Sequence, residues 1–179
     1  MVRYVAFLRG VNVGGRTIRM ERLRQIFAAA GFANVQTFIA SGNVIFESRR
    51  QKTPELERRI EISLEGALGY PVAAFIRQPV DLEAIVAHDP FPNEKGGRPA
   101  TIHVGFLRGP VSAAAREKLM TFRTDVDDFD VEGQELYWLI RGRFSDSKLA
   151  GPVIERTLGL TTMRNRNTVV RLAAKLRLA

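Results

Sequence analysis

The chain has 179 residues, 45% hydrophobic and 26% charged, with a net charge of +8 and no cysteine. This is the composition of an ordinary globular chain long enough to bury a core, and the missing cysteines exclude disulfides and thiolate metal sites. No apolar run nears the roughly 20 residues of a membrane span, and the apolar stretch in "MVRYVAFLRG" is too short for a signal peptide, so the expected setting is the cytoplasm, with no membrane partner.

In chain order, "RYVAFL" reads as a buried strand followed by a Gly-containing loop. "MERLRQIFAAAG" places Leu23, Ile26, Phe27 and Ala30 at helical spacing and stops at Gly31. "VQTFIASGNVIFES" is two β-rich runs around Gly42-Asn43, a hairpin signal. Thr53 and Pro54 read as an N-cap and N1 pair opening a helix through Leu56, Ile60, Leu64 and Leu68, and "YPVAAFIR" is a further strand. The order is β-α-β-β-α-β. "HDPFPNEKGGRP", residues 88–99, reads as a linker.

The second half repeats the first. "VAFLRG" at residues 5–10 returns as "VGFLRG" at 104–109, "SAAAREKLMTF" sets Leu119 and Met120 where the first copy has Ile26 and Phe27, and "DFDVEGQELYWLI" turns at Gly133. A broken helical stretch with Pro152 at a first helical position, a short "LTTM" and a final helix follow. The predicted fold is α+β, two tandem ferredoxin-like (β-α-β-β-α-β) lobes related by internal duplication: residues 1–87, the 88–99 linker, and 100–179 with a terminal basic helix. The strands are offset by 99 residues and the following helices by 93, so the first copy's loop is six residues longer. An extension confined to one copy is where a specific role tends to be placed, because loops vary while the scaffold holds still.

That loop, "GVNVGGRTIR", contains G-x-x-x-x-G-R-T, one residue from the P-loop pattern, with Arg16 in place of lysine. Backbone N–H groups from Gly14 to Thr17, beside Arg16, would suit a phosphate. A fork-shaped guanidinium in place of a point charge, and no following apolar strand ending in Asp, separate it from a true P-loop; a tight turn that needs glycine at positive φ is the structural alternative. Charge is concentrated at the chain ends. Residues 1–52 carry a net +7, residues 53–163 a net −4 and residues 164–179 a net +5, which suggests an anionic partner, although 22 of the 27 basic residues are arginine and could serve solubility alone.

Other residues carry less. Ser145 and Lys148 have the spacing of an activated serine, but Ser145 reads equally as a helix N-cap. His88 and His103 lack metal spacing, and His103 replaces Tyr4 of the first copy, favouring a core or sheet-edge role. The acidic run Asp125 to Glu135 alternates with Phe129 and Val131 like a strand with one solvated face. Asn167 reads as an N-cap of the last helix, with Val169, Leu172, Ala173 and Leu176 its apolar stripe and Arg164 and Arg166 at its mouth.

The segments "FLRGVNVGG", "SGNVIF" and "TMRNRNTV" together resemble the bacterial domain of unknown function 1697 family, in order and spacing along nearly the whole chain. The matching positions are Arg9, Gly10, Asn12, Gly14 and Gly15, then Ser41, Gly42 and Asn43, then Arg164, Asn165, Asn167 and Thr168; Arg166 stands where an aromatic is expected. The resemblance implies a two-lobed α+β fold in a cytosolic bacterial protein and implies no activity. The expected site joins these residues with Arg16, binding a phosphate-bearing small molecule or nucleic acid without cofactor or metal. The rival class is an enzyme on a nucleotide-like substrate, for which the basic segments offer only Glu21 and Glu47 as carboxylates. A third reading is RNA binding on an open sheet face through Phe38 and Phe46.

Overall fold

The computed structural model describes residues 1–12, 14–15, 17–94, 99–149 and 151–177. The protein is α+β, with two four-stranded antiparallel sheets and six α-helices among the described residues. Two compact units divide the chain between Leu82 and Glu83.

The first unit runs β1 (Val2–Leu8), α1 (Met20–Ala29), β2 (Ala33–Phe38), β3 (Asn43–Ser48), α2 (Thr53–Leu68) and β4 (Ala74–Arg77), with sheet order β2-β3-β1-β4. Strand β1 is central, and opposite residues assign its faces. Tyr4 faces Phe46, Ala6 faces Val44 and Ile76, and Leu8 faces Ala74; all are buried under Leu23, Ile26 and Phe27 of α1 and Leu56, Ile60 and Leu64 of α2. On the opposite face Val5, Phe7, Ile45 and Phe75 are also buried, with Asn43 and Arg77 among them. A strand buried on both faces reads as a continuous apolar run, which is why "YVAFL" shows no alternation. Of the two phenylalanines in the RNA-stacking reading, Phe46 is fully buried on the helix-covered face, stacked on Tyr4 at 5.6 Å and edge-on to Phe32 at 4.7 Å, and so is not open to a base, while Phe38 is half-buried.

Helix α1 ends as expected, with Gly31 at φ +83°. Helix α2 starts one residue earlier than its capping signal: Thr53 is already helical and Lys52 is the N-cap, without a side-chain cap bond. Helix α3 (Pro79–Ala87) had no place in the sequence reading. Its signal is nevertheless local. Pro79 occupies the first helical position, and Asp81 accepts the Gln78 N–H at 2.7 Å in the manner of a capping box.

The second unit runs β5 (Ala100–Phe106), α4 (Ala113–Met120), β6 (Asp127–Glu132), β7 (Glu135–Arg141), a 3-10 turn at Phe144–Asp146, α5 (Gly151–Leu158), β8 (Thr162–Asn165) and α6 (Arg166–Arg177), with sheet order β6-β7-β5-β8. Leu119, Phe129, Val131, Leu136, Trp138, Ile140 and Ile154 form its core under α4 and α5. Ser145 is no helix N-cap; it lies inside the 3-10 turn, whose N-cap is Arg143. Strand β6 departs from a simple solvated face. Asp127 is buried beside Phe129 and accepts the Trp138 Nε1–H at 2.9 Å, while Asp128 pairs with Arg123 and Arg141, and Asp130 with His88 and Arg116. Residues 88–94 carry no helix or strand, and Glu94 is held by a two-toothed bond from Arg141, whose guanidinium keeps the Glu94 carboxyl below the usual range.

His103 lies opposite Trp138 in the β5–β7 ladder, half-buried, with its ring 5.5 Å from that of Phe144 and its Nδ1 atom buried without a hydrogen-bond partner. Burial pushes its pKa below the ordinary 6.5. Between the folded and unfolded values only the unfolded chain binds the proton, so stability is lost as pH falls below about 6.5. We expect the melting temperature to fall on acidification less steeply in His103→Phe than in the native chain; equal slopes would refute this. Phe46→Ala should cost about 3–5 kcal/mol in urea denaturation, the range for a deleted core aromatic.

Candidate functional site

Strand β1 leaves its sheet between two neighbours. The Leu8 N–H donates to Gly42 O at 2.8 Å and the Arg9 N–H to Ala73 O at 2.9 Å, so the chain beyond Arg9 starts beside the β2–β3 turn. Leu107, the counterpart of Leu8, lies just past β5. Residues 9–19 therefore stand against 108–112 in the second unit, the six-residue difference read from the repeat.

The loop is pinned at both ends. Val11 and Ile18 are buried in the core of the first unit. Asn12 closes the base: its Oδ1 accepts the Ile18 N–H at 2.7 Å, and its Nδ2 donates to Ala40 O at 3.0 Å. Its backbone is left-handed at φ +57°, which asparagine tolerates better than most residues. Beyond this brace Gly14 and Gly15 are exposed and successively left-handed, at φ +62° and +81°. A Cβ built at either would meet nothing within 4 Å. Backbone conformation, not crowding, requires glycine there, and it leaves the main chain open to close approach.

The turn across from Asn12 is built with similar economy of side chains. Asn43 is fully buried, and its Nδ2 donates to Phe38 O at 3.1 Å and Ser41 Oγ at 2.8 Å. Gly42, at φ +73°, has Leu8 Cβ and O and Val11 Cβ within 3.3 Å of where its own Cβ would be, so a larger residue would be strained in its backbone and would press on these neighbours by a few tenths of an ångström. Ile39 also has a left-handed backbone, φ +49°, and is exposed.

Of the residues singled out in the sequence, Arg9, Gly10, Asn12, Gly14, Gly15, Ser41 and Asn43 are thus brought together in one unit. Arg16 lies outside the described residues. Arg164, Asn165, Asn167 and Thr168 belong to the other unit. Arg164 is buried and donates to Thr162 Oγ1 at 3.0 Å and Met163 O at 2.8 Å, and desolvation lowers its pKa to about 10. Asn165, not Asn167, caps α6, its Oδ1 accepting the Asn167 N–H at 2.9 Å. Arg166 donates to the carbonyls of Val86 and His88. Sequence reading passed over Arg77, buried in β4 opposite Val5, as Arg164 is opposite Val104. The signal for it is the repeat itself, since each arginine lies at or next to the end of a strand that leads into a helix.

Chemically, the loop combines accessible main-chain N–H groups with the start of α1, whose N-cap, Arg19, makes no side-chain cap bond. Carboxylates are engaged. Glu47 takes Asn34 Nδ2 at 2.8 Å and Arg3 at 3.5 Å, and Glu21, in the first turn of α1, pairs with Arg24. Among the described residues no three His, Asp or Glu side chains group as a metal site, and no helix is long and apolar enough to cross a membrane.

Fold and loop define an α+β protein of two four-stranded units with a glycine-rich loop at the end of its first strand. A family model described as protein of unknown function (DUF1697) matches residues 1–137, and the chain belongs to that family. The third motif, around Arg164, lies beyond the matched residues. A solved structure, a conserved bacterial protein SP0830 from Streptococcus pneumoniae, is 22% identical, with 97% of each chain covered and a TM-score of 0.75. That likeness is one of fold. No curated protein matches the chain.

Two substitutions separate the loop's brace from its tip. Asn12→Ala removes both amide hydrogen bonds and should cost about 1–3 kcal/mol in denaturant titration. Gly14→Val and Gly15→Val place a β-branched residue at positive φ and should also destabilise. A native-like melt for all three would mean the loop conformation is not held as described.

Proposed function

We propose that the protein binds a phosphate-bearing small molecule at the loop of residues 10–19, beside the Ser41 to Asn43 turn. One observation carries the reading: exposed, successive left-handed glycines held on a pinned base, in the loop that leads to a helix N-terminus that no side chain caps. Such main-chain N–H groups suit an anion, and the positive end of the helix adds to the attraction. Arg16 and Arg19 supply charge by their place in the sequence. Binding is favoured over catalysis because Glu21 and Glu47, the carboxylates of the basic segment, are already occupied by neighbours.

We further propose that the units are ferredoxin-like lobes that arose by duplication. The matching sheet orders support this, as do Arg77 and Arg164, each donating to the carbonyl of the residue before it at 2.8 Å. Helix-ending Gly69 and Gly159, which each donate to the residue four before at 2.8 Å, add to the correspondence.

The test is titration with inorganic phosphate, nucleotides and short oligonucleotides. Arg16→Ala and Arg19→Ala should each weaken binding of a phosphate ligand by about 1.5–3 kcal/mol, the range for a hydrogen bond to a charged group, with the melt little changed. An early melt with normal binding would make the loop a structural turn only. If oligonucleotides alone bind, with log affinity falling by about 0.7 per log salt for each phosphate neutralised, the partner is a single strand rather than a small molecule.

A further inference from the structure

Between α4 and α5 lies an open groove of about 570 Å³. Ala114 and Ala115 of α4, Val153 and Thr157 of α5, and Phe122 line it. Lys118 enters from the α4 wall and Arg156 from the α5 wall, and no acidic residue lines it. Among the described residues neither cation has an ion-pair partner, although neighbouring Arg116 and Arg123 are paired with Asp130 and Asp128. Lys118 Nζ instead lies 5.5 Å from the centre of the Phe122 ring.

In the first unit the chain just past α1 is closed against α2. There Arg59 of α2 lies 4.5 Å over the Phe32 ring and donates to Ala30 O, so tightly that a Cβ on Gly31 would stand 2.7 Å from its guanidinium. Helix α2 has 16 residues and α5 only 8.

We propose that this groove binds a small amphiphilic anion, an acidic head on an apolar body such as a carboxylate with an acyl chain. The apolar lining would take the body and Lys118 and Arg156 the head. Its volume is that of small-molecule sites, and α5 extends only roughly 12 Å, about two turns, which is short for a partner helix with anchors over several turns. The proposal is independent of the glycine loop.

Octanoate tests it, with acetate as the head alone and octanol as the body alone, read by calorimetry and by NMR shifts of the Ala114, Ala115 and Thr157 amides. Octanoate should bind at least tenfold more tightly than either control and shift those amides. Ala115→Phe, which fills the groove, and the double charge reversal Lys118→Glu with Arg156→Glu should each weaken it at least tenfold. Should Ala115→Phe fail to fold, the surface charge reversal decides alone. Octanol binding as tightly as octanoate, unchanged affinity in the charge-reversed chain, shifts confined to other amides, or binding of an acidic peptide in place of octanoate would each overturn it.

Discussion

Because β1 occupies the middle of its sheet, both of its edges are hydrogen-bonded and both of its faces are buried. The chain can then leave the sheet only at the strand's end, with Gly42 O gripping the Leu8 N–H on one side and Ala73 O the Arg9 N–H on the other. Everything about the candidate site follows from that exit. A loop starting there lies against the β2–β3 turn without needing long-range steering, and Asn12 has only to span from Ile18 to Ala40 to close it.

In the loop, side chains and main chain divide the labour. Asparagine and buried aliphatic residues do the holding, and glycines at the tip present backbone. The nitrogen and oxygen of Asn12 and the nitrogen of Asn43 are spent on local acceptors and donors, so these amides shape the loop and turn rather than reach outward. Charge recognition would then fall to arginines and to N–H groups, whose attraction for an anion does not depend on one side-chain rotamer.

The second unit handles charge by a different rule. Its acidic strand β6 could have been a solvated edge, yet Asp127, Asp128 and Asp130 are each matched, to an indole N–H, to Arg123 and Arg141, and to His88 and Arg116. Those pairs tie the segment after α3 to the sheet, together with Glu94 on Arg141 and Arg166 on the Val86 and His88 carbonyls. Lys118 and Arg156 of the α4–α5 groove, which have no ion-pair partner among the described residues, are distinct against this background.

Strand and helix order was legible because periodicity and caps are local: "YVAFL", the Leu23 to Ala30 stripe and the glycine stops each act within a few residues. The repeat made the six-residue extension visible by comparison of two loops within one chain. Boundaries shifted by one residue at Thr53, and the α6 cap moved from Asn167 to Asn165, because several polar residues in a row can each cap and only backbone geometry selects one. The sequence by itself determined the elements other than α3, their order and the exceptional loop. Tertiary structure alone decided that Phe46 points into the core, that Asn12 meets Ala40 across 28 residues, and that Arg77 and Arg164 are buried, since strand pairing sets which face a residue takes and a one-residue change of register would reverse it.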